Sequence, residues 1–401
     1  MTAAADRTGT AAKQTERGAM GVTCGAHALH DGYTDLIYVM LPIWQSEFGL
    51  GYAALGLMKT VFSGTLAGFQ IPSSMLAERI GAPLLLAAGT ALAGIGYCLV
   101  GFSHSVVMLV AALFVGGLGA STQHPLASSV IAHTFSGARS RQALGTYNFA
   151  GDIGKMTVPA AASLLFVVLP WREAVALLGG LGVLAAIVIF VAMPRVGDGD
   201  PAAAAKRNGT AGSGARVRGY GFPLLLSVGV IDSATRMAFL TFLPFVLTSK
   251  GASLPTVGLA LTLVFAGGAA GKLVCAYIGA RIGTVPTVWL TEAVTALGIV
   301  ALLPLPLEPA LALLPVVGIA LNGTSSVLYG SVPDLVAPER RTRAFGIFYT
   351  GTIGAGAVSP AIYGLLGDAA GVPLALMVVA AVVLLTLPLT LILRPALAHA
   401  D

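Results

Sequence analysis

Charge is what this sequence has least of. Only 10% of its 401 residues are Asp, Glu, Lys or Arg, where soluble domains carry roughly 25%. A chain so poor in charge cannot cover a water-facing surface, which excludes a cytosolic enzyme and a disordered protein alike. Cysteine is scarce too. Cys24, Cys98 and Cys275 lie in apolar stretches and are odd in number, so they supply neither a disulfide framework nor a zinc site. Gly-x-Ser-x-Gly and His-Glu-x-x-His elements are missing, which argues against an enzyme of either hydrolytic type. What is abundant is apolar: 56% of residues are hydrophobic and the mean hydropathy is +0.87. The solvent for most of this chain is lipid.

Runs of about 20 apolar residues, enough for a helix to cross the hydrocarbon layer, occur twelve times. They cover 20–46, 52–77, 83–101, 105–133, 139–168, 171–193, 221–249, 254–281, 285–304, 309–335, 342–367 and 371–393. The 51 glycines suit helices that approach closely in lipid. Residues 1–19 are polar, alanine-rich and lack a hydrophobic core, so they read as a disordered cytoplasmic tail. Residues 20–193 form one six-helix bundle, the polar stretch 194–220 a linker, 221–394 a second bundle, and 395–401 a short tail.

Lys and Arg set the orientation. Of the 22, Lys59, Lys155, Arg236 and Lys272 lie inside spans, Arg172 and Lys250 border one side, and the other sixteen border the opposite side. The basic side is the cytoplasm, so both termini are inside and the chain belongs in the inner membrane. The net charge of +5 thus serves topology, and no nucleic acid is called for.

The two halves repeat at a spacing near 201 residues. Asp31 is echoed by Asp232, Leu41-Pro42 by Leu243-Pro244, and Arg79-Ile80-Gly81 by Arg281-Ile282-Gly283. Arg139 and Arg141 are echoed by Arg341 and Arg343, and Ala143-x-Gly145 with Pro159 by Ala344-x-Gly346 with Pro360. A six-plus-six parallel repeat is a layout of secondary transporters. With these motifs the chain resembles the major facilitator superfamily across residues 20–394. The loop elements Glu78-Arg79-x-Gly81 and Arg281-x-Gly283 are similar to weakened copies of its cytoplasmic loop motif. Three segments are similar to the fosmidomycin-resistance type of exporter: His27-x-x-x-Asp31 with Leu41-Pro42, His124-Pro125-x-Ala127-Ser128, and Gly151-x-x-Gly154 with Pro159. The resemblance implies an all-α integral membrane fold. Its twelve transmembrane helices form two pseudo-symmetric six-helix bundles around a central cavity lined by spans one, four, seven and ten.

A charge placed in lipid costs at least ~2.5–3.5 kcal/mol, so each intramembrane ionisable residue asks for a role. His27, His30, Asp31, Thr34, Asp35 and Tyr38 fall on one stripe of the first span. Lys59 follows in the second span, Gln123 and His124 in the fourth, and Asn148, Asp152 and Lys155 in the fifth. The seventh span carries Asp232 and Arg236, and the tenth carries Asn322, Ser326 and Tyr329. Asp152 with Lys155, and Asp232 with Arg236, are spaced to pair along one helix. Lys272 and Glu292 read as structural or snorkelling groups near span ends.

Carboxylates buried in low dielectric can bind and release protons near working pH. Asp31, Asp35, Asp152 and Asp232 are therefore the proton-coupling candidates. Asp31 lies about twelve residues into its span, or ~18 Å at 1.5 Å per residue, and His27 one turn earlier would pass its proton toward the cytoplasm. His30, Tyr38, Lys59, Gln123, His124, Asn148, Lys155, Arg236, Asn322 and Tyr329 are the substrate-binding candidates. Arg236 offers a bidentate fork for a phosphonate or carboxylate, the lysines point charges. Glu78, Arg79, Arg141, Arg281 and Arg343 are gating candidates, the arginines bracing helix ends against Glu78 or Asp334.

The expected activity is proton-driven export of a small organic anion by alternating access, as in an antibiotic-efflux antiporter. It needs no cofactor beyond the proton gradient and works as a monomer. The alternatives are proton-coupled import of an organic anion, or carriage of a metal or metal chelate through His27, His30, Asp31 and His124.

Overall fold

The structure is a computed structural model and describes residues 2–135, 137–193, 219–337 and 340–397. The expected linker lies outside these residues apart from Gly219 and Tyr220, as do the last four residues and the side chains of residues 2–15 and of Arg141. Among the described residues there are fourteen α-helices: α1 Thr2–Phe48, α2 Tyr52–Ile80, α3 Ala82–Gly101, α4 Val106–Ala120, α5 Gln123–Thr134, α6 Gly137–Val168, α7 Trp171–Ala192, α8 Gly221–Ser249, α9 Leu254–Ile282, α10 Thr284–Leu302, α11 Leu307–Gly330, α12 Arg341–Ala370, α13 Val372–Val383 and α14 Thr386–Leu397. Because α4 runs on into α5 as one span, and α13 into α14, fourteen helices make the twelve expected spans. Ten spans are apolar enough by composition alone. The other two are α1 and α2, whose hydropathy is lowered by Asp31, Asp35, Lys59 and their polar neighbours.

The first difference from expectation is at the amino end. The backbone of α1 is helical from Thr2, where a disordered tail was expected. Alanine is the strongest helix former, and this segment extends a helix already nucleated in the span behind it. Likewise α14 continues to Leu397, into the short tail expected from residue 395.

Sequence punctuation explains the helix limits. Gly81 and Gly283, the echoed loop glycines, both take the left-handed backbone (φ 89° and 85°) that favours glycine. Ser105 caps α4 by accepting the Met108 N–H, and Ser253 caps α9 by accepting the Thr256 N–H. Prolines 42, 72, 159, 244, 315 and 360 sit inside helices, which membrane helices tolerate when neighbours satisfy the freed carbonyls.

The chain divides into two compact units, Met1–Leu36 with Val61–Lys206, and Ile37–Thr60 with Arg207–Asp401. Ile37–Thr60, read from sequence as part of the first bundle, clusters instead with the second unit. Close backbone packing accounts for it: Gly56 lies against the Pro360 carbonyl, Gly364 against that of Tyr52, and Thr60 Oγ1 donates to the Ala357 carbonyl at 2.6 Å. In the first unit, Gly94 lets α3 meet α7 at Gly179. In the second, Gly271 and Gly318 let α9 and α11 touch backbone to backbone. Large apolar side chains such as Val107, Val191 and Leu273 stand more than three-quarters exposed, the expected surface for acyl chains.

Candidate functional site

The first unit gathers its charges around one carboxylate. Asp31, only 7% exposed, lies midway along α1. Its Oδ1 is 3.3 Å from His27 Nε2, 3.8 Å from His30 Nε2 and 3.9 Å from His124 Nε2, and its Oδ2 is 3.4 Å from Lys155 Nζ. Three imidazoles and one ammonium thus face a single acid.

Local structure explains how three helices bring these groups together. The fourth span breaks at Ser121–Thr122, both buried, so Gln123 and His124 open a new helix, α5, within the span. Broken helices at membrane depth are tolerated where they are buried in protein. On α6, Gly154 lies against the Ala28 carbonyl of α1, and a side chain at Gly151 would strike Asp31 and His27. These two glycines bring α6 against α1 and so carry Lys155 to Asp31. Lys155, which is spaced to pair along its own helix with Asp152, reaches Asp31 across the helix interface.

The imidazoles are held as firmly as the acid. The His27 ring stacks on Tyr147 at 3.9 Å between centroids, and its Nδ1 lies 2.7 Å from the Tyr147 carbonyl. A carbonyl only accepts, so Nδ1–H is the donor and Nε2 is the atom turned toward Asp31. His124 stands edge-on to His27 and His30, at 5.1 and 4.8 Å. Behind His30 a cavity lined by Ala26, Tyr33, Thr122 and Gln123 has room for about one water. Asp35, one turn beyond Asp31, is buried close to Tyr97, whose hydroxyl donates to the Tyr33 carbonyl.

The ligand atoms of His27, Asp31 and His124 lie within 4.8 Å of one another, close enough to hold a metal ion. Lys155 already brings a positive charge to the same carboxylate, which opposes a divalent ion there.

The second unit holds its own polar groups. Asp232 and Glu292 are 4% and 1% exposed. The span-end reading of Glu292 is therefore corrected: eight residues into α10, it is buried. Arg236, expected to pair with Asp232 along α8, directs Nη1 to Ser325 Oγ on α11 at 3.3 Å. Asn322 donates to the Gly318 carbonyl. Also in this unit, Lys59 is buried with Nζ 4.4 Å from the Tyr38 ring centroid, and the Tyr38 hydroxyl donates to Met237 Sδ. Asp152 is buried, while Asn148 and Tyr329 lie on exposed faces.

Of the gating candidates, Glu78, Arg79, Arg281 and Arg343 are exposed, and Arg281 stacks on Tyr277. Arg139 pairs with Glu16 of α1 at 2.5 Å, and Arg341 donates to the Pro333 carbonyl. Tyr147 and Ser325 were missed from sequence, and Glu292 was read only as a structural or snorkelling group. Only Glu292 left a signal, an acid inside an apolar run.

Residues 23–222 and 225–400 match the Major Facilitator Superfamily. The chain belongs to that superfamily. It is 25% identical over 387 residues to the fosmidomycin resistance protein of Escherichia coli, spanning 88% of this chain and 87% of that one. It is 29% identical over 163 residues to a probable sulfoacetate transporter of Cupriavidus necator, spanning 40% of this chain and 37% of that relative. Among solved structures, a bacterial homologue of the human lysosomal transporter Spinster, inward-facing and unoccupied, superposes with a TM-score of 0.80 at 15% identity over 96% of this chain and 98% of that one. That likeness shows the fold. Together these matches make the chain a multi-pass membrane transporter of small organic substrates, not an enzyme.

Proposed function

We propose that this transporter couples protons to the movement of a small organic anion across the cytoplasmic membrane, by alternating access and with both termini inside. One observation carries the reading: Asp31 is bound by Lys155 at 3.4 Å and ringed by His27, His30 and His124. An anionic substrate group competes with the Asp31 carboxylate for Lys155, and the carboxylate so displaced keeps its place in a dry interior by taking a proton. The imidazoles supply the proton or stabilise the anion. The same electrostatics favour a proton over a metal ion between His27 and Asp31, since Lys155 stays cationic there.

Export is the direction supported by the relative that aligns along most of the chain, a resistance protein. Import is a second reading, and the ion pair itself favours it. Antiport needs proton and anion to exclude each other, whereas exchange of partners at Lys155 makes them bind together. The partial likeness to a probable sulfoacetate transporter is in keeping with it.

Proteoliposomes with an imposed pH gradient, offered phosphonates, sulfonates, carboxylates and cationic drugs, test both. Accumulation of an anion on the alkaline side means symport, and accumulation on the acidic side means antiport. A preference for cations, or no response to the gradient, overturns the proposal.

A further inference from the structure

The cavity behind His30 lies wholly within the first unit and has room for about one water. Its polar lining comes from three places: His30 and Tyr33 on α1, Thr90 on α3, and Thr122 with Gln123 where the fourth span breaks. Gln123 is only 2% exposed, and its Nε2 finds no acceptor among the described residues. The His30 ring is in the same position. Its Nε2 stands 3.8 Å from Asp31 Oδ1, beyond hydrogen-bond reach, and no hydrogen bond among the described residues ends on the ring.

The hydroxyls around the cavity have already given up their protons. Thr90 donates to the Leu86 carbonyl at 2.8 Å, Thr122 to that of Gly119 at 3.0 Å, and Tyr33 to that of Leu178. Toward the cavity they offer only lone pairs, while Gln123 Nε2 offers only hydrogen. Water both donates and accepts, so it can serve the amide, a lone pair and the imidazole at once. An amide N–H left unpaired in a dry interior is costly, and a buried water with a few polar partners removes that cost. A cation of the same size would meet the hydrogens of the amide, which repel it.

We propose that this cavity holds one ordered water joining Gln123 Nε2 to the His30 ring, and that Gln123 is thereby a positioning residue for the cluster around Asp31. A neutral imidazole donates from one nitrogen and accepts at the other. A water held against the ring therefore selects the tautomer that His30 adopts beside Asp31. The broken span makes this possible, because Gln123 enters the cavity from the first turn of α5. The proposal adds to the Asp31 reading without requiring it, since the water and the tautomer are observed without transport.

Two measurements on the purified full-length protein test it. A crystallographic or cryo-electron-microscopy map fine enough to show ordered water should have a peak in the cavity, within about 3.2 Å of Gln123 Nε2 and of a His30 ring nitrogen. In protein labelled with 15N-histidine, Gln123→Leu should shift the His30 ring-nitrogen signals, which are identified by their loss in His30→Gln. The signals of the exposed His104 should stay in place. Ala93→Val, which keeps Gln123 but fills the cavity from its lining, should shift the same His30 signals; a Gln123 that only packs would leave them unmoved in this variant. Asp31→Asn should keep the density peak, so failure of the coupling reading and failure of this one are told apart. Should one substitution prevent folding, the other replaces it, and should both, the map decides alone. A cavity without density, or His30 signals unmoved by the substitutions that fold, overturns the proposal.

Discussion

The Asp368 carboxylate caps a helix that is not its own. From the carboxyl end of α12 its two oxygens accept the backbone N–H groups of Tyr52 and Ala53, at 2.6 and 3.0 Å, in the first turn of α2. Gly51, at the position where a capping side chain would stand, has none, and a Cβ there would meet the Asp368 carboxylate. The negative group also complements the positive end of the helix dipole.

Removing this cap should have a measurable cost. Asp368→Ala is expected to destabilise the protein by about 1 kcal/mol, or ~2–4 °C in melting temperature, measured by thermal unfolding in detergent. Asp368→Asn, which still offers one acceptor, should melt closer to the unsubstituted protein. Equal losses in the two variants would mean that charge, not capping, is what matters.

At the first site the ion pair makes a separable prediction. Asp31→Asn should abolish uphill, pH-driven transport while substrate still binds and exchanges, as read by counterflow in proteoliposomes. Lys155→Gln should weaken binding of the anion itself by about tenfold or more, on the scale of one charge-assisted hydrogen bond. If Asp31→Asn still concentrates substrate at the normal rate, the coupling acid is Asp35, Asp152 or Asp232.

The approach of α6 to α1 depends on Gly154, which lies against the Ala28 carbonyl. Gly154→Val should push the two helices apart, costing about 1–3 kcal/mol as an overpacked interior does. Lys155 should then lose Asp31, so transport falls along with the melting temperature. Gly145, on the same helix with nothing within 4 Å of a Cβ, is the control. Gly145→Ala should be neutral or stabilising by up to ~1 kcal/mol.

The Arg139–Glu16 pair should matter little. The hydrogen bond to Glu16 pushes the Arg139 pKa further up, so the arginine stays charged at any working pH. It is nonetheless solvent-exposed, where salt screens such pairs. Arg139→Ala should leave transport per molecule unchanged, and loss of transport at normal expression would show that the pair takes part in the transport cycle.

Much of this architecture was legible because it is written in local patterns. Length of apolar run gives a span, and the echo of Arg79-Ile80-Gly81 in Arg281-Ile282-Gly283 gives the repeat, down to matching left-handed glycines. Stripe spacing likewise put His27, His30 and Asp31 together. Partners across helices were not legible. Spacing along α6 offers Lys155 a partner only in Asp152, and the depth to which Gly151 and Gly154 let α6 approach α1 is what brings it to Asp31. Glu292 was placed near a span end, and nothing in a single sequence shows that its side chain is buried among the helices.

The bond between His27 Nδ1 and the Tyr147 carbonyl has one more consequence. An imidazole works as a proton wire when it takes a proton on one nitrogen, gives up another from the opposite nitrogen and then resets by turning over or exchanging tautomers. His27 cannot do this where it is: one nitrogen is committed to a backbone oxygen, and the ring is stacked flat on Tyr147. On the proposed reading, a proton passed between His27 and Asp31 therefore travels through Nε2, the one nitrogen that faces the carboxylate.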